Sequence, residues 1–142
     1  MTIKIKYYNK DLPKIEKLTV GDWIDLRAAE NYHLESGDIC LINLGVSIKL
    51  PEGYEAHLLP RSSTFKKWGI IQTNSMGVID NSYCGDHDIW MMPVYATRRT
   101  DIKIGDRVCQ FRIVANQPLI DFVEVETMNE ESRGGFGSTG SD

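Results

Sequence analysis

The sequence predicts an all-β protein, a sandwich or jelly roll. Three observations carry the prediction. Short alternations of apolar and polar residues recur along the chain, turn signals separate them at roughly 8–12-residue spacing, and no long stretch has a helical period. The chain has 142 residues, with 42% hydrophobic and 25% charged residues, which suits one folded domain rather than two or a disordered chain.

The elements follow in order. Ile3 and Ile5 alternate with Lys4 and Lys6, an opening strand. Glu35-Ser36-Gly37-Asp38 is a turn. Val46, Ile48 and Leu50 alternate with Ser47 and Lys49, and Pro51-Glu52-Gly53 turns the chain again. Ala56–Leu59 is an apolar strand, and the one short helix predicted is Ser62–Trp68, with Ser62 or Ser63 as its N-cap. A short strand ends at Asp80, and Ile104-Gly105-Asp106 is a further turn. Cys109, Phe111 and Ile113 alternate with Gln110 and Arg112, so Gln110 is expected to face away from the core. Phe122, Val123 and Val125, punctuated by Asp121, Glu124 and Glu126, suggest a last strand. Residues 131–142 are set apart from a β domain over residues 1–130, because four of the last ten residues are Gly. That segment reads as a disordered tail or as an arm whose backbone N–H groups and Arg133 close on a phosphate.

Several classes are excluded. The longest apolar runs, Ile39–Ile42 and Ile89–Met92, hold four residues each, far short of the roughly 20 that span a membrane. The start lacks a secretory apolar region, so a cytoplasmic location is expected. A net charge of −4 argues against nucleic-acid binding, yet leaves room for a polyphosphate held by a few Arg residues and a divalent metal. Cys40, Cys84 and Cys109 form no disulfide framework and no zinc motif. Gly135 to Gly140 matches G-x-G-x-x-G, but only two residues follow, so no dinucleotide-binding helix can.

Three segments carry chemistry. Pro60-Arg61-Ser62-Ser63 reads as an N-cap beside a surface Arg, or as an anion site. In Gly77-Val78-Ile79-Asp80-Asn81-Ser82-Tyr83-Cys84-Gly85, Asp80 reads as a turn residue, or as a general base or metal-water organiser at a strand end. Tyr83 reads as core or as an aromatic floor for a sugar, and Asp86-His87-Asp88 as a solvated loop. Gly105-Asp106-Arg107-Val108-Cys109-Gln110 is a turn feeding a strand.

Taken in order, these segments resemble the five motifs of the trimeric, all-β dUTPase family. Asp22 to Ala28 resembles the first, Pro60 to Ser63 the second, Asn74 to Gly85 the third, Gly105 to Gln110 the fourth and Arg133 to Gly140 the fifth. The resemblance spans residues 20–140 and is nearest to forms from Gram-positive bacteria and their phages. It implies a jelly-roll homotrimer with active sites shared between subunits. It also implies hydrolysis of dUTP to dUMP and pyrophosphate, with Mg²⁺ across the phosphates. By match, Asp80 activates the attacking water and Asp25 supports the metal through waters. Arg61, Ser62, Ser63 and Gln110 hold the phosphates, and Arg133, Gly137, Ser138 and Thr139 close on the γ-phosphate. Asn74 reads the uracil edge with backbone groups of its hairpin, Gly77 and Ile79 among them. Such a fixed hydrogen-bonding edge can reject cytosine by roughly 10⁴–10⁵-fold. Tyr83 packs under the sugar and leaves no room for a 2′-hydroxyl.

Two features depart from the family pattern. Trp23 stands where the first motif usually has Gly. Arg133 to Phe136 is three steps, where the fifth motif usually has five. The apolar lid over uracil is therefore Phe136 or a bulky residue after the third motif, Trp90 or Met91. Two rival readings accompany the hydrolase. A dCTP deaminase shares the fold and an Arg-Ser-Ser motif, but its catalytic Glu falls on Trp90 here. Phage-type members of the family can also bind a repressor protein under nucleotide control.

Overall fold

The computed structural model describes residues 1–137. Among them are eleven strands and one short helix: β1 (Lys4–Tyr7), β2 (Ile24–Arg27), β3 (Tyr32–Leu34), β4 (Ile39–Asn43), β5 (Val46–Lys49), β6 (Tyr54–Pro60), α1 (Thr64–Trp68), β7 (Ile70–Gln72), β8 (Gly77–Ile79), β9 (Met91–Ala96), β10 (Thr100–Ile102) and β11 (Arg107–Ala115). Every pairing is antiparallel. The largest sheet runs β2-β11-β6-β8, a second runs β4-β9-β7, and β1-β5 and β3-β10 are two-stranded. The fold class read from the sequence is the one observed.

The predicted turns fall where expected. Asp38 N–H donates to Glu35 O at 3.0 Å, Tyr54 N–H to Pro51 O at 3.1 Å and Asp106 N–H to Lys103 O at 2.9 Å. Gly105 sits at φ +92°, a conformation that a Cβ would strain. Alternation is legible in β9, where Met92, Val94 and Ala96 are buried and Met91 and Tyr95 exposed. The inward residues meet Leu26, Ile42, Leu58 and Phe111, and Trp90 packs edge-on against Phe111 with ring centroids 5.1 Å apart.

Two expectations need correction. The helix begins at Thr64, not Ser62, and the N-cap Ser63 makes no capping bond with its side chain. The buried Thr64 hydroxyl organises the entry instead: it accepts from Arg61 N–H at 2.8 Å and donates to Val108 O at 2.9 Å. Residues 122–125 form no strand. Phe122 and Val123 are 94% and 80% exposed, because no neighbouring strand of the described chain offers them a hydrogen-bonding edge. No helix among the described residues is long and apolar enough to cross a membrane.

Candidate active site

The residues singled out in the sequence gather in two places. The first lies where β2, β11 and β6 run side by side. Gln110 on β11 is in register with Asp25 on β2 and Leu59 on β6. A register shift between Arg107 and Cys109 turns both Val108 and Cys109 inward. Cys109 is fully buried and its thiol is pushed well up by desolvation, so it is inert packing.

Asp25 stands between two guanidinium groups. Arg61 Nε lies 3.1 Å from Oδ1 and Arg107 Nη1 lies 3.4 Å from Oδ2. Arg61 also donates to Arg107 O at 3.2 Å, and Gln110 Nε2 donates to Pro60 O at 3.1 Å. Two cations against one carboxylate leave a local excess of positive charge, a chemistry suited to phosphate. Ser62 and Ser63 adjoin it at the entry to α1. With five residues, that helix is too short to act as an anion site through its dipole, so Arg61 and the hydroxyls must do so. Arg107 was not singled out from the sequence, although it lies inside the fourth motif; its pairing with Asp25 is a tertiary contact.

The second place is a cavity of about 450 Å³ beside β8. Asn74, Gly77, Ile79, Asp80 and Tyr83 line one side, and Leu58, Trp90 and Met91 another. A Cβ on Gly77 would lie 3.3 Å from Leu58 Cβ, so glycine lets β8 approach β6 closely. Tyr83 donates its hydroxyl hydrogen to Ile89 O at 3.0 Å, fixing its ring at the cavity. Asp80 leaves the end of β8 exposed to solvent, and its carboxylate accepts from Ser82 Oγ and from Ser82 N–H, the latter at 2.9 Å. These bonds, the hydroxyl first, hold its carboxyl below the usual carboxylate range. Asp80 is thus the turn residue that the sequence allowed, and an ionised carboxylate at a cavity as well.

The structure does not bring the two places together within one chain. Arg61, Gln110 and Asp25 do not line the cavity. Ile79 pairs with Ala56, and Arg61 lies five residues further along. At ~3.3 Å per residue that is ~17 Å of strand. Nor do the described residues of the arm line the cavity: Phe136 is fully exposed and Arg133 Nε donates to its neighbour Gly134 O at 3.4 Å. Ser138 and Thr139 lie outside the described residues. Trp90 is 1% exposed and belongs to the core, which removes it as a mobile lid; Met91, 39% exposed, remains at the cavity wall.

Among the described residues no cluster of three or more His, Cys, Asp or Glu side chains could ligate a metal directly. Asp25 is a lone carboxylate beside a cationic cluster. That set fits Mg²⁺ held through its waters and by substrate phosphates, which is how Mg²⁺ is commonly held.

The chain is similar to known proteins of one family. The family model for dUTPase matches residues 21–140. The SPbeta prophage-derived deoxyuridine 5'-triphosphate nucleotidohydrolase YosS of Bacillus subtilis is 56% identical over 141 residues, covering 99% of each chain. The deoxyuridine 5'-triphosphate nucleotidohydrolase of Finegoldia magna is 40% identical over 146 residues, covering 97% of this chain and 99% of that one. A mutant Staphylococcus bacteriophage 80alpha dUTPase, solved with dUpNHpp, superposes with a TM-score of 0.78 at 23% identity, covering 96% of this chain and 97% of that one. This fold match makes the all-β architecture that of the dUTPase jelly roll. With its motifs in order and the family model matching most of its length, this chain belongs to the dUTPase family.

Proposed function

We propose that this chain hydrolyses dUTP to dUMP and pyrophosphate. One observation carries the reading: a member of this family holds both a cavity with an acid at its edge and a cationic cluster. An ionised Asp80 stands at a cavity walled by Asn74 and Tyr83, and a cationic cluster of Arg61 and Arg107 surrounds Asp25. Asp80 accepts a proton from a water whose oxygen attacks the α-phosphorus. The bond from that phosphorus to the α,β-bridging oxygen breaks, and the electron pair leaves with pyrophosphate. Asn74 and backbone groups at Gly77 and Ile79 read uracil, and Tyr83 packs under the deoxyribose. Arg61, Ser62, Ser63 and Gln110 bind the phosphates. Asp25 would hold Mg²⁺ through its waters, and the metal, when bound, would neutralise phosphate charge.

The active site is shared in a homotrimer. The separation of Asp80 from Arg61 along β6 supports this, because a second copy must supply the phosphate-binding half. Exposed apolar side chains support it too: Ile39 and Leu41 on β4, and Leu119, Phe122 and Val123 beyond β11, are each at least 60% exposed. The arm, with Arg133, Phe136 and Gly137, closes over a neighbour's site. Met91 is the alternative to Phe136 as cover for the base. A repressor-binding role is not favoured.

The test is pyrophosphate release from dUTP, dTTP, dCTP and UTP, with and without Mg²⁺. Metal-dependent release from dUTP alone is expected. Equal release from all four, or none from dUTP, would overturn the reading.

A further inference from the structure

We propose that Ser82 is a positioning residue for Asp80, clamping one carboxylate oxygen so that the other is presented to the attacking water. The inference rests on the reading of Asp80 as the base.

Asp80 follows the last residue of β8 and is exposed, so nothing in the core fixes its side chain. Ser82 does so locally. Its hydroxyl and its backbone N–H both donate to Oδ2, the N–H at 2.9 Å, and no bond from Ser82 falls on Oδ1. Two donors on one oxygen, with Asn81 N–H as a weaker third donor to the carboxylate, hold it against turning about its last bond and favour Oδ1, which takes neither Ser82 bond, as the oxygen that accepts from a water. The clamp is itself held. Tyr83 N–H donates to Asp80 O at 3.1 Å and closes the turn, and the Tyr83 hydroxyl is tied to Ile89 O. Ser82 therefore stands between two anchored residues and cannot drift from the carboxylate.

The clamp has an electrostatic consequence. Donors aimed at a carboxylate favour its ionised form. The charged group facing Asp80 from β6 is Glu55, which is engaged elsewhere: His57 Nε2 lies 2.6 Å from its Oε2, and Asn116 Nδ2 donates to its Oε1 at 2.9 Å. Like charge from Glu55 would push the Asp80 carboxyl up, yet it is held down, and the Ser82 hydroxyl is the largest cause. The two effects of Ser82 oppose each other in the rate. A more ionised carboxylate is a weaker base, but it stays deprotonated to lower pH. An aligned base gains from geometry what it loses in basicity.

The test compares Ser82→Ala, which keeps the N–H and loses the hydroxyl, with Ser82→Thr, which keeps both donors. Three measurements are made: kcat and KM against pH, affinity for a non-hydrolysable α,β-imido dUTP, and the Asp80 carboxyl titration followed by ¹³C NMR without nucleotide. In Ser82→Ala, kcat is expected to fall roughly 10–100-fold. The acid limb of its pH profile and the NMR titration should both move up toward the ordinary carboxylate range. KM and analogue affinity should hold within about twofold, since Ser82 does not line the cavity. Ser82→Thr should restore rate and profile together. An unmoved acid limb in Ser82→Ala, or a Ser82→Thr variant as slow as Ser82→Ala, overturns the clamp. Wild-type protein that releases no pyrophosphate from dUTP overturns the proposed function instead, and the NMR titration, which needs no turnover, separates that failure from this one.

Discussion

Asp80 was legible in the sequence as an acid directly after a short apolar strand, with two roles open to it. The structure shows the first, and the hydrogen bonds that make it a turn residue also keep it ionised, which the proposed base requires. Asp80→Asn keeps the shape and the turn while removing the proton acceptor. Pyrophosphate release is expected to fall by roughly 10²–10⁴-fold, the usual contribution of a positioned base. Calorimetry with the imido analogue should show binding within a few-fold of wild type; retained turnover would exclude Asp80 as the base. Trp90 teaches the opposite lesson. A bulky residue shortly after the third motif could have covered the base, but 1% exposure against Phe111 makes it a core side chain. Aromatic character alone does not say which way a ring points.

At the scale of elements, the short helix shows how a local rule was overridden. Ser63 occupies the capping position, but the bonds that fix this corner run through Thr64 to Arg61 N–H and Val108 O. Thr64→Val keeps the shape and strands a buried carbonyl, so a loss of about 1–3 kcal/mol is expected in urea unfolding. Ser63→Ala should cost less than about 0.5 kcal/mol, since its side chain makes no capping bond. If the two changes cost the same, Ser63 caps the helix after all. The corner matters for the site because the same hydroxyl holds the backbone of Arg61, whose guanidinium meets Asp25. The irregularity in β11 is a second case. Strict alternation would bury every other residue, yet Val108 and Cys109 are both buried. The extra inward residue lets Arg107, before the shift, and Gln110, after it, both reach the phosphate-binding side.

At the scale of the whole molecule, the cavity and the cationic cluster stand apart along β6, and the proposed reaction needs both. Sedimentation should find a trimer. A mixing experiment then tests how the site is shared. Asp80→Asn and Arg61→Ala chains should each be inactive alone. Unfolded together and refolded at equal amounts, they should form mixed trimers in which about a quarter of the sites hold both wild-type residues, and activity should return to about that fraction. If the mixture stays inactive while trimers form, each site is built within one chain.

The sequence by itself determined the β class, the strands at β1, β5, β6 and β11, the turns at Gly37, Gly53 and Gly105, and the residue types of the site. These are set by period two, by turn chemistry and by short ordered motifs, all of which are local. It also suggested a strand at residues 122–125 that is not formed, because alternation supplies one face of a strand and cannot supply its hydrogen-bonding neighbour. Tertiary contacts were needed to show that Arg107 pairs with Asp25, that Trp90 is core, that Ser82 donates to Asp80 Oδ2, and that the cavity and the cationic cluster lie apart along one strand. Each of these depends on which residues meet across strands or around a turn, and pairing across a sheet is fixed by register and burial rather than by any stretch of neighbouring residues.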